Sequence, residues 1–284
     1  MLLADFLTLV KPRVVLMVLI TALVGFVLAA GGTPDWIRLL AMLAGVALAA
    51  GGTMALNQYL ERDLDALMRR TRERPLPAGR LEPGRALRFG VAIAAGGLFI
   101  LVLVDPVCCS LTALIVASYL MVYTPLKKRT PLSSIVGGIP GALPPVVGWF
   151  AAGGELEPMA GLLFGVLFLW QIPHLLAISW LYRRDYARAG FRLLPVVDPD
   201  GQSTAWLTVS SCVLLAVVGY LLCDVAAGGL PFVATTILLS TGFTACGMAF
   251  ARTRSHLAAR RLLLASYVYL PAFLVAAVIA GTSP

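Results

Sequence analysis

Nine runs of apolar residues decide what this 284-residue chain can fold into: 14–30, 39–56, 86–104, 106–123, 132–153, 158–182, 205–222, 230–250 and 262–281. Each is long enough to cross a hydrocarbon core of roughly 30 Å as a helix rising about 1.5 Å per residue. Among the Lys, Arg, Asp and Glu residues, only Arg88 falls inside a run, where it shortens the third. The chain is 13% charged and 60% hydrophobic, against about 25% charged for soluble domains. The runs do not alternate polar and apolar residues, so closed barrels are excluded and helices remain. The expected fold is an all-α integral membrane protein with nine transmembrane helices, reading residues 1–284 as one domain.

Charge placement gives an orientation. Of the 22 Lys and Arg residues, only Arg38 lies on the far side; the rest precede the first run or gather around the loops after runs two, four, six and eight. Cytoplasmic loops carry the excess of basic residues, so the expected amino terminus is cytoplasmic and the carboxyl terminus external. The net charge of +8 reflects this asymmetry and gives no reason to infer nucleic-acid binding. A cleavable signal is the competing reading of the first 30 residues, but its apolar run exceeds a signal core and eight more runs follow. Cys108, Cys109, Cys212, Cys223 and Cys246 sit in or at the ends of runs without metal-ligand spacing, and read as small packing residues.

Two cytoplasmic loops are long, 57–85 and 183–204, and four spans separate them. That offset predicts two four-helix halves around a central cavity capped by the loops, plus a ninth helix. Within the fifth run, Pro140, Pro144 and Pro145 and several glycines break or thin the helix. Trp170, Gln171, Pro173, His174 and Trp180 place polar and aromatic groups inside the sixth, where such groups normally face a cavity or another helix.

The second run ends in NQYLERDLD. At 100° per residue, Asn57, Glu61 and Asp65 share one narrow stripe, about 6 Å apart, while Asp63 points away. Oxygens at that spacing can share a hard divalent cation. Arg69, Arg70, Arg72, Arg74, Arg80, Arg85 and Arg88 follow. A solvated helix end and ordinary topology charge would account for part of this pattern. They do not explain five acids mixed with the bases between Asn57 and Arg88, whereas a metal-bridged diphosphate does. Lys127 and Lys128 in YTPLKKRTP, with Tyr123, add cations on the same membrane face. YRRDYARAG adds Asp185, with Tyr186 and Arg188 beside it; Lys11 and Arg13 stand just before the first run. His174 is either a hydrogen-bonded packing residue or a porphyrin contact, with Trp170 and Trp180 flanking it.

N-x₃-E-x-D-x-D followed by DALMRRTRERPLPAG resembles the first acidic motif of the UbiA superfamily of intramembrane prenyltransferases. KPRVVLMVLITALVGFVLA, YTPLKKRTPLSSIVGGIPGALPPVVGW, WQIPHLLAISW and DYARAGFRLLPVV follow the wording of its haem branch, to about residue 198. Two positions depart from the pattern: Glu61 replaces the usual Asp, and Arg184 replaces an acid before Asp185, leaving one carboxylate there. The resemblance implies a bacterial inner-membrane enzyme that moves a farnesyl group from farnesyl diphosphate to a vinyl group of haem b, with water added. It implies Mg²⁺ on Asn57, Glu61, Asp65 and Asp185, and diphosphate on some of Arg69, Arg70, Arg74, Lys127 and Lys128. Haem is then substrate rather than prosthetic group, held near His174, Trp170 and Trp180, and the product passes to a haem A synthase or a terminal oxidase. A sister enzyme acting on an aromatic or quinone precursor would share fold and metal site. A secondary transporter would suit the broken helices, but would place its ionisable residues near the midplane.

Overall fold

The structure, a computed structural model, describes residues 2–226 and 228–282. Among the described residues, nine helices are long and apolar enough to cross a membrane. In order they are Pro12–Ala30, Trp36–Asp65, Pro83–Val104, Pro106–Leu126, Ser133–Ala151, Pro158–Leu181, Gln202–Val225, Gly229–Thr253 and His256–Thr282, here the first to ninth spans. The protein is therefore a multi-pass integral membrane protein. Sequence and structure agree on these helices to within a few residues, except that the second span carries its acidic end as regular helix to Asp65 and the ninth begins six residues earlier than its apolar run, at His256.

Close backbone contact holds the bundle together. A Cβ on Gly25 of the first span would overlap the Pro145 carbonyl of the fifth, and one on Gly148 would overlap the Ala22 carbonyl. Second and third spans meet in the same way, Gly45 and Gly52 on one side facing Gly97, Gly90 and Ala94 on the other. Lipid tails are as apolar as leucine, so helices in a bilayer associate through such close packing rather than through expulsion of water. The fifth span is broken into Ser133–Val136, Gly138–Ala142 and Pro144–Ala151, because Pro140, Pro144 and Pro145 remove backbone donors.

Two apolar cores result. One joins the first five spans through Phe26, Met42, Val46, Leu101 and Val147. The other joins the fifth to ninth through Trp149, Leu163, Leu215, Phe243, Phe250 and Phe273. The fifth span thus serves both cores. The ninth is not an appendage: it packs against the sixth and eighth and touches the first, which closes the ring.

At the cytoplasmic end expected from charge, two irregular segments lie over the bundle and pack on each other through Met68, Ala189, Phe191 and Leu193. A short helix, Leu2–Val10, joins this cap. Gln58 Nε2 donates to the carbonyls of Thr8 and Leu9 at the end of that helix, and Arg80 pairs with Asp5 at 3.1 Å.

The crossing of first and fifth spans makes a direct test. Gly148→Ala is expected to lower the melting temperature in detergent sharply, since overpacking costs about 1–3 kcal/mol or more. Gly96→Ala, with open space around it, should leave melting unchanged or raise it slightly.

Candidate active site

The second span supplies the floor of a polar cavity of about 160 Å³ beneath the cap. Asn57, Glu61 and Asp65 line it and are 2%, 6% and 1% exposed. Their shared helix face puts all three inside, whereas Asp63, midway between Glu61 and Asp65 and so on the opposite side of the helix, faces out and pairs with Arg62 at the surface. Carboxylates buried this deeply must be paired. Asp65 accepts from Arg74 at 2.6 Å and Glu61 lies 2.5 Å from Lys127 Nζ. Asn57 Nδ2 donates to Thr124 Oγ1 at 3.2 Å, which fixes its amide.

The remaining lining is cationic and aromatic. Lys11, Arg70, Arg74 and Lys127 set four basic side chains against the two carboxylates, so the cavity carries a positive excess. Lys11 has φ 49, in the left-handed region, and the Gln58 contacts to the preceding helix end hold it there. Burial first, then Arg74 and Lys127, pull the Lys11 ammonium down to about 7. Burial also opposes the charge on Lys127, but Tyr123 and Glu61 hold its pKa above the ordinary lysine value. Arg70 lies over the rings of Tyr182 and Tyr186 and donates to the Tyr186 hydroxyl at 3.3 Å.

Tyr119 and Tyr123 line the cavity because the fourth span widens into a π turn over Ser118–Tyr123. Pro125 has no N–H to continue the ladder, and the Tyr119 carbonyl accepts from both the Thr124 N–H and the Thr124 hydroxyl, the latter at 2.8 Å. The two rings sit 5.0 Å apart. Tyr119 also borders a second cavity of about 170 Å³, lined almost wholly by apolar groups including Val18, Val46, Met54, Ile115, Pro144 and Val147. A polar chamber and a greasy slot therefore meet at one side chain.

Several sequence candidates lie elsewhere. Arg13, Arg69 and Lys128 are exposed and do not line the cavity. Asp185 is buried outside it and pairs with Arg188 at 2.8 Å. Among the described residues no three acids or metal-binding side chains converge, so Asp185 does not complete a cluster with Glu61 and Asp65. Trp180 is a packing residue with its ring against Phe250 and under Arg183. Trp170 and His174 are not in the cavity wall either: they face Ser266 and Tyr267 on the ninth span. Sequence reading missed Tyr119, Ser134, Ser179 and Phe191, which do line the cavity. Tyr119 alone left a signal, four residues before Tyr123.

The donor set suits Mg²⁺. That ion is usually held by one or two carboxylates together with substrate phosphates, rather than by an all-protein cage. Glu61, Asp65 and the Asn57 amide offer hard oxygen ligands, and the surplus cations welcome the phosphate half.

The fold is a helical membrane bundle with an acid-floored, cation-rich chamber bordered by an apolar slot, and the chain belongs to the UbiA prenyltransferase family, whose profile matches residues 18–280. Among its relatives is a protein of Solibacter usitatus (strain Ellin6076) named protoheme IX farnesyltransferase. The two are 42% identical over 277 residues, 94% of this chain and 95% of that one. The fold is similar to that of a solved digeranylgeranylglyceryl phosphate synthase, at a TM-score of 0.83, 15% identity and 99% and 98% coverage of the two chains. It is also similar to a UbiA homologue from Archaeoglobus fulgidus bound to GPP and Mg²⁺, at a TM-score of 0.60, 16% identity and 96% and 99% coverage.

Lys11 gives a pH test. A polyphosphate anion in the chamber raises the Lys11 pKa, so binding takes up a proton wherever the empty site is partly deprotonated. Affinity for inorganic diphosphate with Mg²⁺ should be full below about pH 7 and fall as pH rises above it. Calorimetry in buffers of different ionisation enthalpy should register that proton in the wild type and lose it in Lys11→Met.

Proposed function

We propose that this chain transfers the farnesyl group of farnesyl diphosphate to a vinyl group of haem b, with addition of water, giving haem O and diphosphate. The observation that carries the transfer chemistry is the junction at Tyr119 of the charged chamber with the apolar slot, a shape matched to an amphiphilic diphosphate. The choice of haem as acceptor rests on the relatives, of which the Solibacter usitatus protein is 42% identical over nearly the whole chain.

In this reading the diphosphate lies in the chamber against Arg74, Lys127, Lys11 and Arg70. Arginine's planar fork suits phosphate oxygens, and the buried setting strengthens each contact. Asn57, Glu61 and Asp65 would hold Mg²⁺, which when bound supplies positive charge to the departing diphosphate. The solved relative with GPP and Mg²⁺ supports a divalent ion in this family. The farnesyl chain lies in the slot between the first, second, fourth and fifth spans, away from water. Tyr119 borders both cavities, with Tyr123 5.0 Å from it, an aromatic wall suited to the positive charge that develops on the allylic carbon as its C–O bond breaks. The vinyl π electrons of haem bond to that carbon, and water takes the cation left beside the porphyrin, releasing one proton. Few groups of this site could act as a strong base, and the reaction as written needs none at carbon.

The basic residues around the cap support an amino terminus on the cytoplasmic side of a bacterial inner membrane. Water-soluble diphosphate would then enter and leave from the cytoplasm, while both lipidic partners arrive through the bilayer. Hand-over of product to a haem A synthase or terminal oxidase belongs to the same proposal.

Purified protein incubated with haem b, farnesyl diphosphate and Mg²⁺ should add one farnesyl and one water to the haem mass. Asp65→Asn and Glu61→Gln are each expected to lower kcat/KM by roughly 10²-fold or more, and chelation should abolish turnover. Unchanged haem from well-folded wild type, with transfer to a quinone precursor instead, would contradict the assignment.

A further inference from the structure

His174 is half-buried and lies outside the chamber lining. Its Nδ1 lies 2.8 Å from Ser266 Oγ, and the same Ser266 hydroxyl donates to the Leu263 carbonyl at 2.6 Å. A hydroxyl has one hydrogen. With that hydrogen spent on Leu263, Ser266 can only accept from His174, so the imidazole proton sits on Nδ1 and Nε2 carries a lone pair. Among the described residues nothing partners Nε2, and it is not one of the sealed, unpartnered polar atoms.

The ring is held on three sides. Trp170 stacks on it at 4.9 Å and 21°, and Trp170 is itself pinned by donating from Nε1 to the Ser266 carbonyl at 2.9 Å. Tyr267 meets it edge-on at 5.3 Å. An imidazole whose far nitrogen is bonded, whose near nitrogen is free and whose plane is clamped is built as a metal ligand. A histidine that merely fills space would normally have both nitrogens satisfied.

Location narrows the metal. The cluster lies within the spans, among aromatic rings, with no carboxylate in contact. Tyr267 is 54% exposed, so His174, which meets its ring, lies close to the outer surface of the bundle beside the ninth span. Leu175, its neighbour in sequence, and Ile178, one turn on, line the polar chamber. A flat apolar chelate entering from the bilayer could be held beside Tyr267 with its edge toward the chamber.

We propose that Nε2 of His174 is an axial ligand to the iron of the acceptor haem, with Ser266 as the positioning residue that sets its tautomer. This deepens the reading of haem as acceptor and rests on it. It puts recognition of the acceptor on the sixth and ninth spans, separate from the diphosphate chamber.

The test needs no turnover. Full-length protein in nanodiscs, titrated with haem b without farnesyl diphosphate and then reduced, should show an iron–histidine stretch in resonance Raman and a saturable Soret shift. In His174→Ala the stretch should vanish, binding should weaken at least about tenfold, and added imidazole should restore the spectrum. Ser266→Ala should weaken binding roughly tenfold while keeping the stretch, and His256→Ala should match wild type. His174→Gln, closer in volume, serves if the alanine variant fails to stay monodisperse. An unchanged spectrum and affinity in the His174 variants would overturn the proposal. So would a wild type that farnesylates haem without any iron–histidine signal, a result that leaves the proposed function standing. A wild type that neither binds nor converts haem would overturn both.

Discussion

Two buried charge pairs organise this molecule: Asp65 with Arg74, and Glu61 with Lys127. Removing one partner of such a pair leaves an uncompensated charge at a cost of about 3–5 kcal/mol. Each pair also joins segments far apart in sequence or conformation. Arg74 draws the irregular stretch after the second span back over that helix end. Lys127 ties the end of the fourth span to the middle of the same face. The chamber is a consequence, since both cations must reach inward to meet acids that the helix repeat has already aimed there.

The cations do not merely neutralise the acids. With Lys11 and Arg70 they outnumber them, so the empty chamber favours an anion as strongly as it tolerates a metal. A divalent ion alone would enter against surplus positive charge, and a diphosphate alone would meet two carboxylates. Together each removes the other's penalty. The apolar slot bordered by Tyr119 lies against this charged chamber. It exists because glycine and proline let the first and fifth spans pack at backbone contact while the fourth bulges at Pro125.

Much of this was legible in the residues. Runs of apolar side chains fix spans through backbone hydrogen-bond satisfaction, a constraint that binds every lipid-facing segment. The Asn57, Glu61, Asp65 stripe follows from the helix period, because that segment is regular helix throughout. Legibility ends where the period ends. Arg69, Arg70 and Arg74 sit in an irregular segment, so nothing in their spacing told that Arg69 points out while the other two point in. Lys11 is placed by its own left-handed backbone and by Gln58 hydrogen bonds to Thr8 and Leu9 across 50 and 49 positions of chain, neither of which has a local signature. For Trp180 and His174 the sequence offers either a cavity or another helix, because polar and aromatic groups inside an apolar span suit both. Only the neighbours chosen by packing decide which flank meets the chamber, which meets the core and which meets the ninth span.

The central claim is that metal and diphosphate are mutually required at a chamber whose acids and bases otherwise satisfy each other. Equilibrium binding of Mg²⁺ and of a non-hydrolysable farnesyl diphosphate analogue, each alone and then together, tests it most directly. The account predicts weak binding of either ion alone and a large mutual gain when both are present, equal in whichever order they are added. Tight Mg²⁺ binding without the diphosphate, or analogue binding indifferent to Mg²⁺, would contradict it.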